Sequence, residues 1–143
     1  MNVPSSLEAV VDLLKRNQLP TAGVVDHLHN FLLEWEDGGL EGRVLVGCVG
    51  LEVYGNSGLL RSVAVDRDFR SRGIARRLLE NMLLLAHQKQ LSSLSLLTTT
   101  AESYFARWGF QKVPRPCLPP ELLESLELKG VCPDSASAMW KGL

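Results

Sequence analysis

The order of apolar and polar residues divides the chain into helical and extended stretches. Leu7, Val10, Val11 and Leu14 recur at helical spacing behind Ser5-Ser6-Leu7-Glu8, a capping box of the S-x-x-E kind. They predict a first helix from Ser6 to Asn17, which Leu19-Pro20-Thr21-Ala22-Gly23 ends. A short second helix is predicted from about Val24 to Asn30. Phe31 to Trp35 reads as a strand and Asp37-Gly38-Gly39 as a turn. Arg43 to Tyr54 reads as a longer strand, in which Gly47 and Gly50 predict bends or a bulge. A second turn, Gly55-Asn56-Ser57-Gly58, leads to a strand from Leu59 to Val65. These three strands predict an antiparallel meander. Met1 to Val3 reads as the stub of one more strand.

The second half begins with a long helix from about Gly73 to Lys89. Ala75, Leu78, Leu79, Met82 and Ala86 form its apolar stripe. Leu94 to Thr98 is the next strand. Two strands joined through a long helix imply a parallel, right-handed crossover. Thr99 or Thr100 then caps a short helix reaching Trp108, with Gly109 at its C-terminal end. Phe110 to Val113 starts a strand. The tail carries Pro114, Pro116, Pro119 and Pro120, with a short helix from Pro120 to Ser125 and a closing edge strand from Met139 to Gly142. The pattern as a whole predicts an α/β fold.

A length of 143 residues is that of one domain, read here as residues 1–143. Hydrophobic residues make up 45% and charged residues 22%, enough apolar chain to bury a core. The net charge of −1 argues against broad nucleic-acid or membrane-surface binding. No apolar run reaches transmembrane length, and no signal-peptide pattern opens the chain. Cys48, Cys117 and Cys132 are odd in number and widely spaced, which fits reduced thiols in a cytoplasm. His27 and His29, two apart, would not share a helix face, so no metal is expected. The residues leave the oligomeric state open, a homodimer included.

Candidate chemistry concentrates between Leu59 and Leu85. A strand enters the charged turn Asp66 to Arg72, and Gly73 opens the long helix. The centre is Arg70-Ser71-Arg72-Gly73-Ile74-Ala75. A helix start leaves about four backbone N–H groups without intrahelical partners, at the positive end of the helix dipole. Such a start suits a phosphate or diphosphate. Gly73 lets backbone approach an anion, and Ala75 keeps the next position small. Arg70, Arg72, Arg76 and Arg77 add positive charge.

This R-x-x-G-x-A loop resembles the acetyl-CoA loop of the GNAT N-acetyltransferases. Val63-Ala64-Val65 before it and Tyr104 to Phe110 after it also match that family's pattern. The resemblance covers roughly Leu19 to Val113. It implies a mixed, mostly antiparallel central sheet with one splayed parallel pair and flanking helices. It implies acetyl-CoA as co-substrate, without a metal. Pantetheine contacts would lie on the backbone of Val63, Ala64 and Val65, with Thr98 at the end of the neighbouring strand. Diphosphate contacts would lie on Arg70, Ser71, Arg72, Gly73, Ile74, Ala75 and Arg76. The family's usual acid is a tyrosine in the short helix after the second parallel strand. By register with Gly109-Phe110 that place holds Phe105, and Tyr104 stands one residue earlier. Tyr104 is therefore the candidate acid, with a packed aromatic as the other reading.

Glu52, late in its strand, is the candidate base. A solvated strand carboxylate is the alternative. Arg61 is charged within an apolar strand, so it should face a cleft or find a partner. It is a candidate to hold an acceptor's carboxylate, or else to pair with Glu52. Alternation places Leu59, Arg61, Val63 and Val65 on one face. Within the family, Leu19-Pro20-Thr21-Ala22-Gly23, Gly50 to Gly55, Leu59 to Ser62, Leu97 to Ala101 and Cys132-Pro133-x-Ser135-Ala136 resemble the arsenic-resistance N-acetyltransferase subgroup. The resemblance implies a small amine or amino acid as acceptor, organoarsenical ones included. A protein or peptide acetyltransferase and a non-catalytic CoA-binding module are the rival readings.

Overall fold

The computed structural model describes residues 5–38, 42–131 and 135–143. The strand expected at Met1 to Val3, the tip of the turn after Asp37, and Cys132 lie outside the described residues. Among the described residues six strands form a sheet in the order β1-β2-β3-β4-β6-β5. The strands are β1 (Leu32–Asp37), β2 (Arg43–Tyr54), β3 (Ser57–Val65), β4 (Ser93–Thr98), β5 (Gln111–Val113) and β6 (Ser137–Gly142). The helices are α1 (Ser6–Arg16), α2 (Val24–His27), α3 (Ile74–Gln88) and α4 (Glu102–Ala106). The fold is thus mixed α/β, mostly antiparallel with one parallel pair. The chain divides into two compact units, Met1–Gly50 with Ser62–Leu84, and Leu51–Arg61 with Leu85–Leu143.

In the first unit, Ser5 caps α1 by accepting the Glu8 N–H. The apolar stripe then buries Val10, Leu13 and Leu14 against Val24, Phe31, Leu45, Cys48 and Ala64. β1 and β2 pair antiparallel, from Leu32↔Val49 to Asp37↔Arg43. Glu34 lies opposite Gly47 and Trp35 opposite Leu45, so β2 carries one extra residue there. Gly47 next to this bulge is set by packing. A Cβ on it would meet Ile74 Cγ2 at 2.6 Å and Leu78 Cδ1 at 3.0 Å. Its missing side chain lets the first turns of α3 lie directly on β2.

In the second unit, β3 and β4 pair in parallel from Ser57↔Ser93 to Leu59↔Ser95, and both strands extend beyond that ladder. β6 returns antiparallel to β4 along Ser93↔Gly142 to Thr98↔Ser137. β5 pairs on its far side, from Gln111↔Trp140 to Val113↔Ala138. The last strand is therefore not an edge. It is laid between β4 and β5, with Ala138 and Met139 both buried. Two occupied neighbours satisfy its backbone groups, and Gln111–Val113 takes the edge instead. The proline-rich stretch forms short 3₁₀ turns, Arg115–Cys117 and Pro120–Glu124, followed by a π-type turn, Glu127–Val131. Leu118 and Leu122 from this stretch pack with Leu59 and Ala138.

Two local expectations change. α4 has Ala101 as its N-cap, with no side-chain cap from Thr99 or Thr100. The hydroxyl that serves this turn is one residue further back, where Thr98 Oγ1 accepts the Ala101 N–H at 3.0 Å. The even alternation along β3 also breaks. Ser62 adopts φ 57°, the left-handed region. Positions on either side of it no longer follow a single two-residue repeat.

Candidate functional site

The loop expected to receive an anion lies in the first unit. β3 ends at Val65, and the Asp66 N–H donates to the Val46 carbonyl at 2.7 Å. Asp66 caps the 3₁₀ turn Arg67–Phe69 through its carboxylate, which accepts the Asp68 N–H and also holds Arg16 of α1. The chain then kinks twice. Ser71 sits at φ 66° and Gly73 at φ 77°. Residues Arg70 to Gly73 are exposed, and Ile74, at 2% exposure, anchors the start of the 15-residue α3. This geometry leaves the helix mouth facing solvent.

The surrounding arginines play different parts. Arg70 Nη2 donates to Asn17 Oδ1 at 2.8 Å and its Nε to the Val65 carbonyl at 3.4 Å. Arg72 lies over the Phe69 ring, 4.9 Å from its centroid. Arg76 pairs with Glu80 one helical turn on. Arg77 forms a fork with both carboxylate oxygens of Glu34, and its Nη1 donates to the Arg72 carbonyl at 3.2 Å. The bond to Glu34 pushes the Arg77 guanidinium further up from its ordinary value. Glu34 therefore ties the loop to β1 through Arg77, a link the sequence pattern does not reveal. Val63 and Val65 are half-buried and Ala64 is buried. The Ser62 carbonyl accepts the Cys48 thiol at 3.2 Å.

The second unit holds a buried polar cluster. Arg61 Nη1 donates to Glu52 Oε2 at 2.7 Å, and its Nε lies 3.3 Å from Glu127 Oε1. Their side chains are 0%, 1% and 7% exposed. The pairing of Arg61 with Glu52, one of its two expected roles, is the one the fold forms. Glu52 is enclosed, not a solvated strand carboxylate. Tyr54, two residues further on the same strand, donates its hydroxyl to Glu52 Oε1 at 2.6 Å. Burial holds the Tyr54 phenol well above its ordinary range, with the Glu52 hydrogen bond and charge adding to the effect and Ser125 opposing it. Ser125 is fully buried and its Oγ accepts the Glu127 N–H at 3.2 Å. Ser57 donates to Glu121, which lowers that carboxyl.

Tyr54 and Glu127 join this cluster without being candidates in the sequence reading. Strand alternation from Glu52 points to Tyr54. Nothing local marks Glu127, which reaches β3 from 66 positions along the chain.

The raised Tyr54 value has a pH consequence. A group whose folded-state pKa is raised contributes stability below its unfolded pKa and loses it as pH rises through the folded value. For Tyr54 that window opens above about pH 10. Urea unfolding across alkaline pH should show the wild type losing stability more steeply there than Tyr54→Phe, which has no phenol to ionise. Parallel curves would remove the claim.

The remaining candidates are placed as follows. Tyr104 packs edge-on to Phe105, with ring centroids 5.4 Å apart, and Arg107 lies 5.8 Å from the Tyr104 ring centroid. Phe105 turns inward onto Phe110. Thr98 is half-buried and pairs with Ser137 on β6. Among the described residues no group of three or more His, Cys, Asp or Glu side chains could hold a metal ion. No helix among them is long and apolar enough to cross a membrane.

Residues 28–112 match the acetyltransferase (GNAT) domain family, more than half of the chain. The chain belongs to the GNAT family. An amino-acid acetyltransferase of Mycobacterium tuberculosis is 37% identical over 75 residues, 52% of this GNAT chain and 42% of that protein. This chain thus spans about two fifths of the curated relative it matches. Among solved structures, a Mycobacterium tuberculosis protein in complex with CoA and NLQ superposes with a TM-score of 0.75 at 24% identity, over 97% of this chain and 95% of that one. N-acetylglutamate synthase from Neisseria gonorrhoeae, complexed with CoA and N-acetyl-glutamate, gives 0.78 at 21% identity, over 99% of this chain and 34% of that one. A GNAT-family acetyltransferase from Staphylococcus aureus gives 0.75 at 17% identity, over 99% and 96%. At these identities the structural likeness is one of fold. It agrees with the α/β expectation drawn from the strand–loop–helix pattern.

Proposed function

We propose that this GNAT chain, acting as one domain over residues 1–143, is an acetyl-CoA-dependent N-acetyltransferase. Its acceptor is the amine of a small, amino-acid-like molecule. The observation that carries this reading is the exposed turn Arg70–Gly73, left-handed at Ser71 and Gly73, at the mouth of α3. Left-handed residues at alternate positions turn successive amides toward one point, which suits an anion. In this reading the CoA diphosphate accepts from the amides of Ser71 to Arg76, flanked by Arg70, Arg72 and Arg76. The pantetheine arm takes the backbone of Val63, Ala64 and Val65.

The acetyl step runs by direct transfer in a ternary complex. The amine nitrogen attacks the thioester carbonyl carbon. The N–C bond forms, the C–S bond breaks, and the CoA sulfur leaves with its electron pair. A backbone N–H of Val63 to Val65 stabilises the oxyanion. A thiol of pKa about 8.5 leaves as thiolate with little acid help, so Phe105 at the usual acid position is compatible with turnover. Tyr104 supplies a proton where one is needed. We assign Glu52 as base, with the half-buried Tyr54 hydroxyl carrying the amine proton to it across the 2.6 Å contact. Arg61 is the proposed contact for an acceptor's carboxylate.

The neighbours' ligands and the strings shared with the arsenic-resistance subgroup support an amino-acid acceptor, organoarsenical amino acids among them. Thiols at Cys48 and Cys117 and the use of acetyl-CoA fit a cytoplasmic setting. Thermal unfolding with and without CoA tests the cofactor half. No upward shift for the wild type would sink it. Thiol release over a panel of amines tests the transfer half. CoA binding without turnover on any amine would favour the non-catalytic module.

A further inference from the structure

Arg77 brings a positive charge to the mouth of α3, yet its contacts are to the protein itself. Its Nε and Nη2 donate to the two carboxylate oxygens of Glu34, at 3.2 and 2.6 Å. Its Nη1 donates to the Arg72 carbonyl at 3.2 Å. Its backbone N–H donates to the Gly73 carbonyl at 3.1 Å. One residue thus holds two successive carbonyls of the turn. A trans peptide is planar, and its C=O and N–H point in opposite directions. Holding the carbonyls of Arg72 and Gly73 on the Arg77 side therefore aims the N–H groups of Gly73 and Ile74 away from it.

Glu34 reaches Arg77 because of how β1 and β2 meet α3. It stands opposite Gly47, beside the bulge at Glu34/Trp35. Ile74 and Leu78 of α3 fill the space that a Cβ on Gly47 would take. The first turns of α3 are thereby brought against the strand pair, and a bulge re-aims the side chains beside it. All of these residues belong to the first unit.

The side chains of Arg77 and Glu34 are 52% and 23% exposed. An ion pair so open to water adds little to folding stability. What it restrains is local. Ser71 at φ 66° and Gly73 at φ 77° hold left-handed backbone in this turn. Ser71 carries a Cβ, so neighbouring contacts must hold that state. At the other end of the turn, Arg70 is held by Asn17 and by the Val65 carbonyl. The turn is clamped from both sides.

We propose, resting on the acetyl-CoA reading above, that Arg77 and Glu34 are positioning residues for the diphosphate. Arg77 acts through the carbonyls of the turn and not as a phosphate cation, and Glu34 acts through Arg77. The two roles of Arg77 differ in sign. Were Arg77 a phosphate contact, Glu34 would compete for it, and removing Glu34 would tighten CoA binding. With Arg77 as the brace, removing Glu34 loosens the turn and weakens binding, although a negative charge has left an anion site. A turn that spends less time in its binding state has a lower apparent affinity in proportion.

Calorimetric titration of the full chain with CoA reads this sign. Kd should rise about 5- to 10-fold in Glu34→Ala. Arg77→Lys keeps the charge but has no fork to hold carboxylate and carbonyl together, and its Kd should rise similarly. The double variant should lose less than the product of the two single losses, because one residue acts through the other. Without CoA, the thermal midpoint of each single variant should stay within about 4 °C of the wild type, which separates loss of positioning from loss of folding. If Glu34→Ala unfolds earlier than that, Glu34→Gln keeps the shape, loses the charge-assisted bond, and should still raise Kd about 3-fold. Tighter or unchanged CoA binding without Glu34 overturns the proposal and gives Arg77 to the phosphate. Arg77→Lys at wild-type affinity overturns it as well. A wild type that binds no CoA overturns the acetyl-CoA reading first and this inference with it.

Discussion

Arg61→Met should lower the unfolding free energy by about 3–5 kcal/mol, the largest stability effect expected of a single substitution in this chain. The side chain is fully out of solvent and stands between Glu52 and Glu127. Methionine fills much of the same volume, so the loss is mainly electrostatic. Glu52 and Glu127 stay buried and lose the guanidinium that both of them contact. At this size the midpoint of thermal unfolding should drop by roughly 10 °C. The companion variant separates charge from packing. Adding Glu127→Leu to Arg61→Met removes one of the two acids that Arg61 contacts and should restore part of the loss, a coupling a double-mutant cycle would read directly. Equal losses in the single and double variants would mean that the cation is not what holds the two acids in place.

Gly73→Glu should weaken CoA binding by about 100-fold or more, through two separable causes. The first is conformational. Gly73 sits at φ 77°, where a residue with a Cβ is disfavoured by about 1–2 kcal/mol. The second is electrostatic. A carboxylate at the mouth of α3 takes the place of an incoming diphosphate and reverses the local potential. Gly73→Ala carries only the first cause. Among the described residues a Cβ at Gly73 would meet Arg77 Nη1, at 3.5 Å, an ordinary contact, so alanine fits the space and pays the backbone strain alone. CoA affinity by calorimetry should therefore fall in the order wild type, Gly73→Ala, Gly73→Glu. Unchanged affinity in Gly73→Glu would remove the helix mouth from the cofactor site.

Much of the fold was legible because local signals and global fold agree. The capping box at Ser5, the helical stripe of α1 and the stripe ending at Ala86 all lie where the structure has them. β2 runs from Arg43 to Tyr54, the bounds its sequence pattern predicts. The crossover from β3 through α3 to β4 is parallel, because a helix of that length must return the chain in the same direction. The errors sit where distant neighbours decide. Met139 to Gly142 reads as an edge because it is last in sequence, yet strand order depends on which backbone groups are left to pair. The kink at Ser62 is invisible because serine carries no general preference for the left-handed region.

The site divides along the same line. Its charged loop could be read from six consecutive residues, since a helix mouth, a glycine and flanking arginines are all local facts. The cluster around Arg61 could be read only in part. The strand pattern shows that a buried arginine needs a partner, and Glu52 is near enough in sequence to be named. Glu127 arrives by a long, proline-rich detour of 3₁₀ turns.

The order of residues alone determined the class of fold, the place of the charged turn at the mouth of α3 and the family to which the chain belongs. Those properties rest on hydrophobic period and on contiguous backbone chemistry, which a one-dimensional reading contains. Tertiary structure alone decided that β6 lies between β4 and β5, that Glu34 braces the loop through Arg77, and that Arg61 is shared by two acids. Each of these depends on a contact between residues far apart in the chain. Such contacts are chosen by the burial of charge and the pairing of backbone groups across the whole molecule, and no local pattern records that choice.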